Sequence, residues 1–163
     1  MRIVNYPLRI IGIVHTHLSD EEMKIAENAR GVVEIFEEFE EGLRGIDGFS
    51  HVFLISLLDR VNDERRDTLV VRMRRLQRFG ISPEEIPEVG VFSCDSPHRP
   101  NPIGLSIVRL LERRGRFLEV EGLDLFDGTP ILDIKPYTPA RRIDDLRVPE
   151  WHERLWRKLG REP

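Results

Sequence analysis

Apolar residues along this chain fall in short bursts separated by clusters of charge, glycine and proline, the rhythm of β-strands joined by loops. Residues 8–15 and 32–35 are rich in β-branched side chains and flanked by turn-compatible ones, so each predicts a strand. Residues 51–58 are apolar on both faces and predict a central strand. Residues 105–111 and 117–123 flank Glu112-Arg113-Arg114-Gly115-Arg116, whose glycine can take the positive φ of a tight connection; they predict a β-hairpin. Residues 131–135 add a further strand. Residues 68–75 satisfy two periods, because Leu69, Met73 and Leu76 have helical spacing while Leu69, Val70 and Val71 favour a strand. Helices are expected over residues 37–44 and over 20–28, where Ser19-Asp20-Glu21-Glu22 places acids at the positive end of the helix dipole. A third is expected over residues 149–159, with Pro149 suited to a first turn and Gly160 to a stop.

Many short strands without alternating long helices define a mainly β fold: a single-domain curled sheet or β-barrel with short helices and a C-terminal helix. The domain is expected over residues 1–140, with residues 141–163 as a tail carrying the helix. Trp151, Leu155 and Trp156 make one apolar stripe on that helix, expected to dock on the barrel or on a dimer partner.

With 163 residues, 33% of them charged and 40% hydrophobic, the chain has the balance of a soluble globular protein large enough for a real core. No apolar run approaches the roughly 20 residues of a membrane span, and the N-terminus lacks the pattern of a signal peptide, so a cytoplasmic location without membrane partners is expected. The net charge of −4 gives no overall attraction for nucleic acid. Basic residues nevertheless gather in local groups while acids crowd residues 20–41, which leaves room for a local field. The single Cys94 cannot form an internal disulfide, and beside Asp95 it lacks the electropositive setting of a reactive thiol.

The chain has neither a P-loop nor a G-x-G-x-x-G after a strand, so nothing supports an NTPase or a dinucleotide fold. His15 and His17 would face one way on a strand, but no third ligand follows by spacing, and no metal is expected. Ser50-His51 forms no triad; His51 reads as a hydrogen-bonded structural group. The most informative stretch is Ser96-Pro97-His98-Arg99-Pro100-Asn101-Pro102-Ile103-Gly104. Each proline fixes its own φ and pushes the preceding residue out of the α region, so His98, Arg99 and Asn101 are presented from a preset backbone.

That stretch, together with Val91-Phe92-Ser93-Cys94-Asp95 before it, resembles the signature of the TsaA-like family, also called the YaeB or TrmO family. Upstream, Glu41-Gly42-Leu43 leading to Gly48-Phe49-Ser50-His51 is similar to a second block of that family. Downstream, Asp124-Leu125-Phe126-Asp127-Gly128-Thr129-Pro130 and Asp133-Ile134-Lys135-Pro136-Tyr137 resemble a third. The blocks stand in the family's order between about Ile11 and Pro139.

The resemblance implies a β-rich protein, usually a homodimer, that binds S-adenosylmethionine and methylates threonylcarbamoyl-adenosine beside the tRNA anticodon. It favours the strand reading for residues 68–75. Carried over residue by residue, it implies cofactor contacts from Asp124, Leu125, Phe126 and Asp127, from Leu105 and from Arg60. Asp59 and Asp95 stand at two further cofactor-contact positions of the family, but the residue type is not kept at either: the family has histidine at the first and arginine at the second. The first family block is also altered at Gly12-Ile13-Val14-His15-Thr16-His17. Arg99 is a candidate for orienting substrate through a phosphate or carboxylate and Asn101 through hydrogen bonds, with no general base assigned. At Asp95 a carboxylate replaces a cation and could pair with Arg99. The alternative function is a cofactor- or nucleotide-binding or interaction protein on the same scaffold, without methyl transfer.

Overall fold

The computed structural model describes residues 7–160, and its chain divides into two compact units. The first comprises residues 1–60 and 103–141, the second residues 61–102 and 142–163.

The first unit is a closed antiparallel barrel. Its strands are β1 (Gly12–His15), β2 (Ala29–Ile35), β3 (His51–Leu57), β6 (Ile103–Arg114), β7 (Phe117–Leu123) and β8 (Pro130–Pro136), in the spatial order β1-β2-β7-β6-β3-β8 and back to β1. Alternate residues point inward, as the two-residue period of a strand requires. Val14, Val33, Ile35, Val52, Leu54, Val108, Leu118, Val120 and Ile131 therefore form the core, each at most 1% exposed. β-Branched and leucine side chains suit this interior, because a six-stranded barrel leaves only enough room for side chains to fill it. Register shifts between Ala29 and Arg30, Ile55 and Ser56, and Leu110 and Glu112 bend the strands into closure. The turn between β6 and β7 is tight, with Gly115 at φ 61° in the left-handed region that suits glycine.

β1 is shorter than expected, with residues 8–11 outside it, and β2 begins three residues earlier than residue 32. The helix expected over residues 20–28 spans only Asp20–Met23 (α1). Ser19 and Glu22 form a capping box at its start, and Asn28 takes a left-handed φ of 54° just before β2. The segment expected to be helical over residues 37–44 is a 3₁₀ helix, Glu37–Leu43, which inserts Leu43 into the core.

In the second unit, β4 (Val70–Arg72) pairs with β5 (Glu88–Gly90) as a two-stranded ladder. The strand expected over residues 68–75 thus covers only its middle; from Arg74 to Phe79 the helical spacing prevails as a 3₁₀ helix. Helix α2 (Glu150–Lys158) starts after Pro149 and stops at Gly160, whose φ is 67°. Two residues of its stripe pack within this unit. Leu155 and Trp151 pack on Ile81, Ile86, Met73 and Leu76 of this unit, and Lys158 pairs with Glu85.

Candidate functional site

The antiparallel registers bring the C-terminal ends of β1, β3 and β7 and the N-terminal ends of β2, β6 and β8 to one rim of the barrel. The turn from β7 to β8, residues 124–129, crosses this rim. Its conformation is fixed by backbone bonds from Thr129 N to Phe126 O (3.1 Å) and from Gly128 N to Val14 O (2.8 Å). The φ of 80° at Gly128 supplies the reversal. Asp127 Oδ1 accepts the backbone N–H of Thr16 at 2.9 Å, tying the turn to the segment after β1.

Arg60 follows β3 and converges on the same turn. Its guanidinium donates to the carbonyl of Asp127 at 2.6 Å, pairs with Asp20 in the first turn of α1, and lies 5.1 Å from the centroid of the Phe126 ring. Lys24 stands 5.9 Å from the same ring. Phe126 is thus a half-buried aromatic surface with two cations near it. Its neighbour Leu125 is buried in the core and anchors the turn from below. Asp124 is exposed but oriented: the hydroxyl of Ser106, buried on the inward face of β6, donates to Asp124 Oδ1. Leu105, one residue earlier, points outward and is 66% exposed.

The rim therefore joins Arg60, Phe126 and Asp127 by direct contact and adds an oriented Asp124. Asp59 is exposed and makes no hydrogen bond or ion pair among the described residues. Sequence reasoning missed Ser106, Asp20 and Thr16 as partners of these groups. Ser106 did carry a signal, as a polar residue at an inward position of an otherwise apolar alternation.

Two further barrel features are structural. Ser56 is fully buried with no hydrogen-bond partner for its hydroxyl. It pairs in register with Gly104, where any Cβ would overlap that hydroxyl. His15 turns outward and its Nε2 lies 2.7 Å from Glu34 Oε2, and Arg116 holds the other carboxylate oxygen. These two partners hold the Glu34 carboxyl below its usual range, His15 first. Among the described residues no three His, Cys, Asp or Glu side chains gather as a metal site.

The proline-fixed loop lies in the second unit as far as Pro102. Arg99 does not pair with Asp95. Its Nη2 instead donates to the carbonyls of Val91 and Cys94, and its Nε is buried without a partner. The reason is local: the 3₁₀ turn Val91–Ser93 leaves those carbonyls without helical partners, and the loop carries the guanidinium back to them. His98 Nε2 faces Arg65 Nη1 at 3.0 Å, and burial followed by the Arg65 charge lowers its pKa below the ordinary value. Asp95 and Asn101 are exposed.

The molecule is thus a closed six-stranded β-barrel with a polar turn, flanked by Arg60 and Lys24, across one rim. Residues 19–144 match the tRNA-methyltransferase O N-terminal domain, and the chain belongs to that family. A probable S-adenosyl-L-methionine-binding protein of Archaeoglobus fulgidus is 50% identical over 65% of this chain and 26% of its own length. One from Pyrococcus abyssi is 38% identical over 93% of this chain and 78% of its own. The crystal structure of TrmO from Pseudomonas aeruginosa superposes with a TM-score of 0.64 at 31% identity, covering 88% of this chain and 62% of that one. The chain thus spans about a quarter of the first relative and less than two thirds of the solved TrmO chain. No helix among the described residues is long and apolar enough to cross a membrane.

Proposed function

We propose that this protein binds S-adenosylmethionine at the barrel rim and methylates the N6 group of threonylcarbamoyl-adenosine beside the anticodon of tRNA, acting in the cytoplasm as a homodimer. The observation that carries the reading is the convergence of Arg60, Phe126 and Asp127 on one turn in a member of the methyltransferase O family.

The residues present fit such a cofactor. Asp124 commits one carboxylate oxygen to Ser106 and Asp127 one to Thr16. Each retains acceptor capacity for ribose hydroxyls or an ammonium. The exposed apolar face of Leu105 suits an adenine ring, and the half-buried Phe126 suits a cation. When bound, the cofactor supplies an electrophilic methyl group. Its transfer to N6 would break the cofactor's carbon–sulfur bond, form a carbon–nitrogen bond and release the N6 proton to solvent. The chain's part is to hold donor and acceptor in line, where positioning alone can lower the barrier by several kcal/mol, about 7–11 in the best-aligned cases. Arg60 serves by fixing the turn, Asp124 and Asp127 by orienting the cofactor, and Arg99 and Asn101 by orienting substrate.

A second reading, cofactor binding without methyl transfer, is favoured by one observation. Asp95 places a carboxylate where the family's pattern has arginine, and Arg99 is engaged by carbonyls. Calorimetry with S-adenosylmethionine tests the shared part, and absence of binding at millimolar ligand removes both readings. Mass spectrometry of tRNA from a deletion strain then separates them. Unchanged methylation of threonylcarbamoyl-adenosine removes the enzyme.

A further inference from the structure

The turn over residues 124–129 differs in chemistry from one end to the other. At its first end Asp124 accepts from Ser106 of β6, and Leu105, the neighbour of that serine, turns an exposed apolar side chain outward. Asp124 forms no ion pair among the described residues. The other end is crowded with opposite charges. Asp127 Oδ1 holds the Thr16 N–H at 2.9 Å, Arg60 donates to the Asp127 carbonyl and pairs with Asp20, and the Lys24 ammonium lies 5.9 Å from the centroid of the Phe126 ring.

Lys24 is presented from a segment that is anchored on both sides. Met23 before it is buried in the barrel core and Ala26 after it packs against the same core, while the capping box of Ser19 and Glu22 fixes the start of α1. Its own N–H donates to the carbonyl of Asp20 at 3.2 Å. The two cations of this end have different work. Arg60 commits its guanidinium to Asp20 and to the Asp127 carbonyl, and so holds the turn in place. Lys24 pairs with Glu21, whose side chain is 69% exposed, and a pair so open to solvent contributes little. An ammonium carries three donors, so the carboxylate of a ligand can join or replace Glu21 at modest cost.

A carboxylate and an ammonium on neighbouring segments complement the zwitterion of an α-amino acid. The second oxygen of Asp127 can accept from its amine, and Lys24 can donate to its carboxylate. The Asp124 end, with an acceptor beside an apolar surface, complements sugar hydroxyls next to an adenine ring. We propose that S-adenosylmethionine lies across the rim in one direction, its adenosine at Leu105 and Asp124 and its amino-acid end at Asp127 and Lys24, and that Lys24 selects for the carboxylate. The inference rests on the reading of this rim as the cofactor site. It adds a direction, and a specificity residue that lies in none of the family's motif blocks.

The test is calorimetric titration of the full chain with S-adenosylmethionine, with its decarboxylated form, and with 5′-methylthioadenosine, which keeps the nucleoside and lacks the amino-acid end. The unaltered chain is expected to bind S-adenosylmethionine about tenfold more tightly than the decarboxylated form, the scale of one charge-assisted hydrogen bond. Lys24→Met is expected to abolish that preference by weakening S-adenosylmethionine about tenfold without weakening the decarboxylated form. Lys24→Arg, which keeps the charge, is expected to retain it. Asp124→Asn should weaken all three ligands, and Asp127→Asn only the two that carry the amine. Circular dichroism confirms that each variant folds. Equal affinity for S-adenosylmethionine and its decarboxylated form overturns the role of Lys24 and leaves the cofactor reading standing. A Lys24→Met loss shared by all three ligands does the same, because it marks a structural role. Weakening of 5′-methylthioadenosine by Asp127→Asn but not by Asp124→Asn overturns the direction. Absence of binding by any of the three overturns the cofactor reading, and this inference with it.

Discussion

The barrel closes six strands on one continuous core, whereas the second unit has a ladder of two three-residue strands and a small cluster in which Ile81, Ile86 and Leu155 are buried. Their charge differs as well: the barrel segments hold the acidic excess, and the second unit carries slightly more basic than acidic residues. The contrast separates two ways of making a site. A closed barrel has no free sheet edge and holds its rim residues through ladder bonds, so Asp124 and Asp127 are positioned by the fold itself. The second unit holds Arg99, His98 and α2 through individual contacts and prolines, so its geometry depends on single side chains.

The largest test of this contrast is truncation of one leucine in each core. Leu54→Ala is expected to cost about 2–5 kcal/mol and to lower the protection of all six barrel strands together in hydrogen-exchange mass spectrometry. Leu155→Ala, with a similar loss of contacts, is expected to expose α2 and residues 74–86 while the barrel stays protected. Equal loss of protection in both units after either substitution would dissolve the distinction.

A smaller effect tests how tightly the barrel is packed. Gly104→Ala is expected to cost about 1–3 kcal/mol in chemical denaturation, because its methyl enters the space of the Ser56 hydroxyl. Ser56→Ala alone is expected to be neutral or stabilising, since it removes a buried hydroxyl without a partner. The double variant should recover part of the loss. A Ser56→Ala variant that loses as much as Gly104→Ala would refute the account.

At the rim, Arg60→Ala is expected to weaken S-adenosylmethionine about tenfold by releasing the 124–129 turn, while leaving the hydrogen-exchange protection of α2 and residues 74–86 unchanged. Loss of protection in α2 as large as that in the turn would erase the distinction between the units.

The smallest effect is on pH. His98 has its pKa lowered by burial and by Arg65, so the unfolded chain takes up a proton that the folded unit resists. That part of stability is complete above pH 6.5 and is lost as pH falls through the lower folded value. Glu34 in the barrel is lowered by His15 and Arg116, and its part is lost only below pH 4.5. The second unit should therefore loosen first on acidification. His98→Gln should flatten its upper limb and Glu34→Gln the barrel's lower one, read as region-specific exchange across pH.

Much of the barrel could be read in the sequence. β3 and the β6–β7 hairpin follow from alternation and from one glycine, because two-residue periodicity is written locally. β5 was missed because three residues after Pro87 give too little pattern to recognise. The 3₁₀ helix at Arg74–Phe79 was missed because a mixed apolar run fits both periods. The stripe of α2 was visible, but its partner was not, since nothing in residues 149–159 says that Ile81 and Ile86 lie opposite. For the site, residue types came from family likeness, while Ser106 beneath Asp124 and Asp20 beside Arg60 depend on barrel closure, which no local window contains. The pairing imagined between Asp95 and Arg99 failed because two main-chain carbonyls lie closer at hand.

Leu57 and Ile103 face each other across the β3–β6 ladder. Topologically, residues 61–102 are therefore the loop of an oversized hairpin whose two stems already touch. Such an excursion can be shortened, exchanged or decorated without altering the strand order of the barrel. This one loop, with the C-terminal helix that packs in the same unit, can thus diverge while the strand order beneath the 124–129 turn is kept.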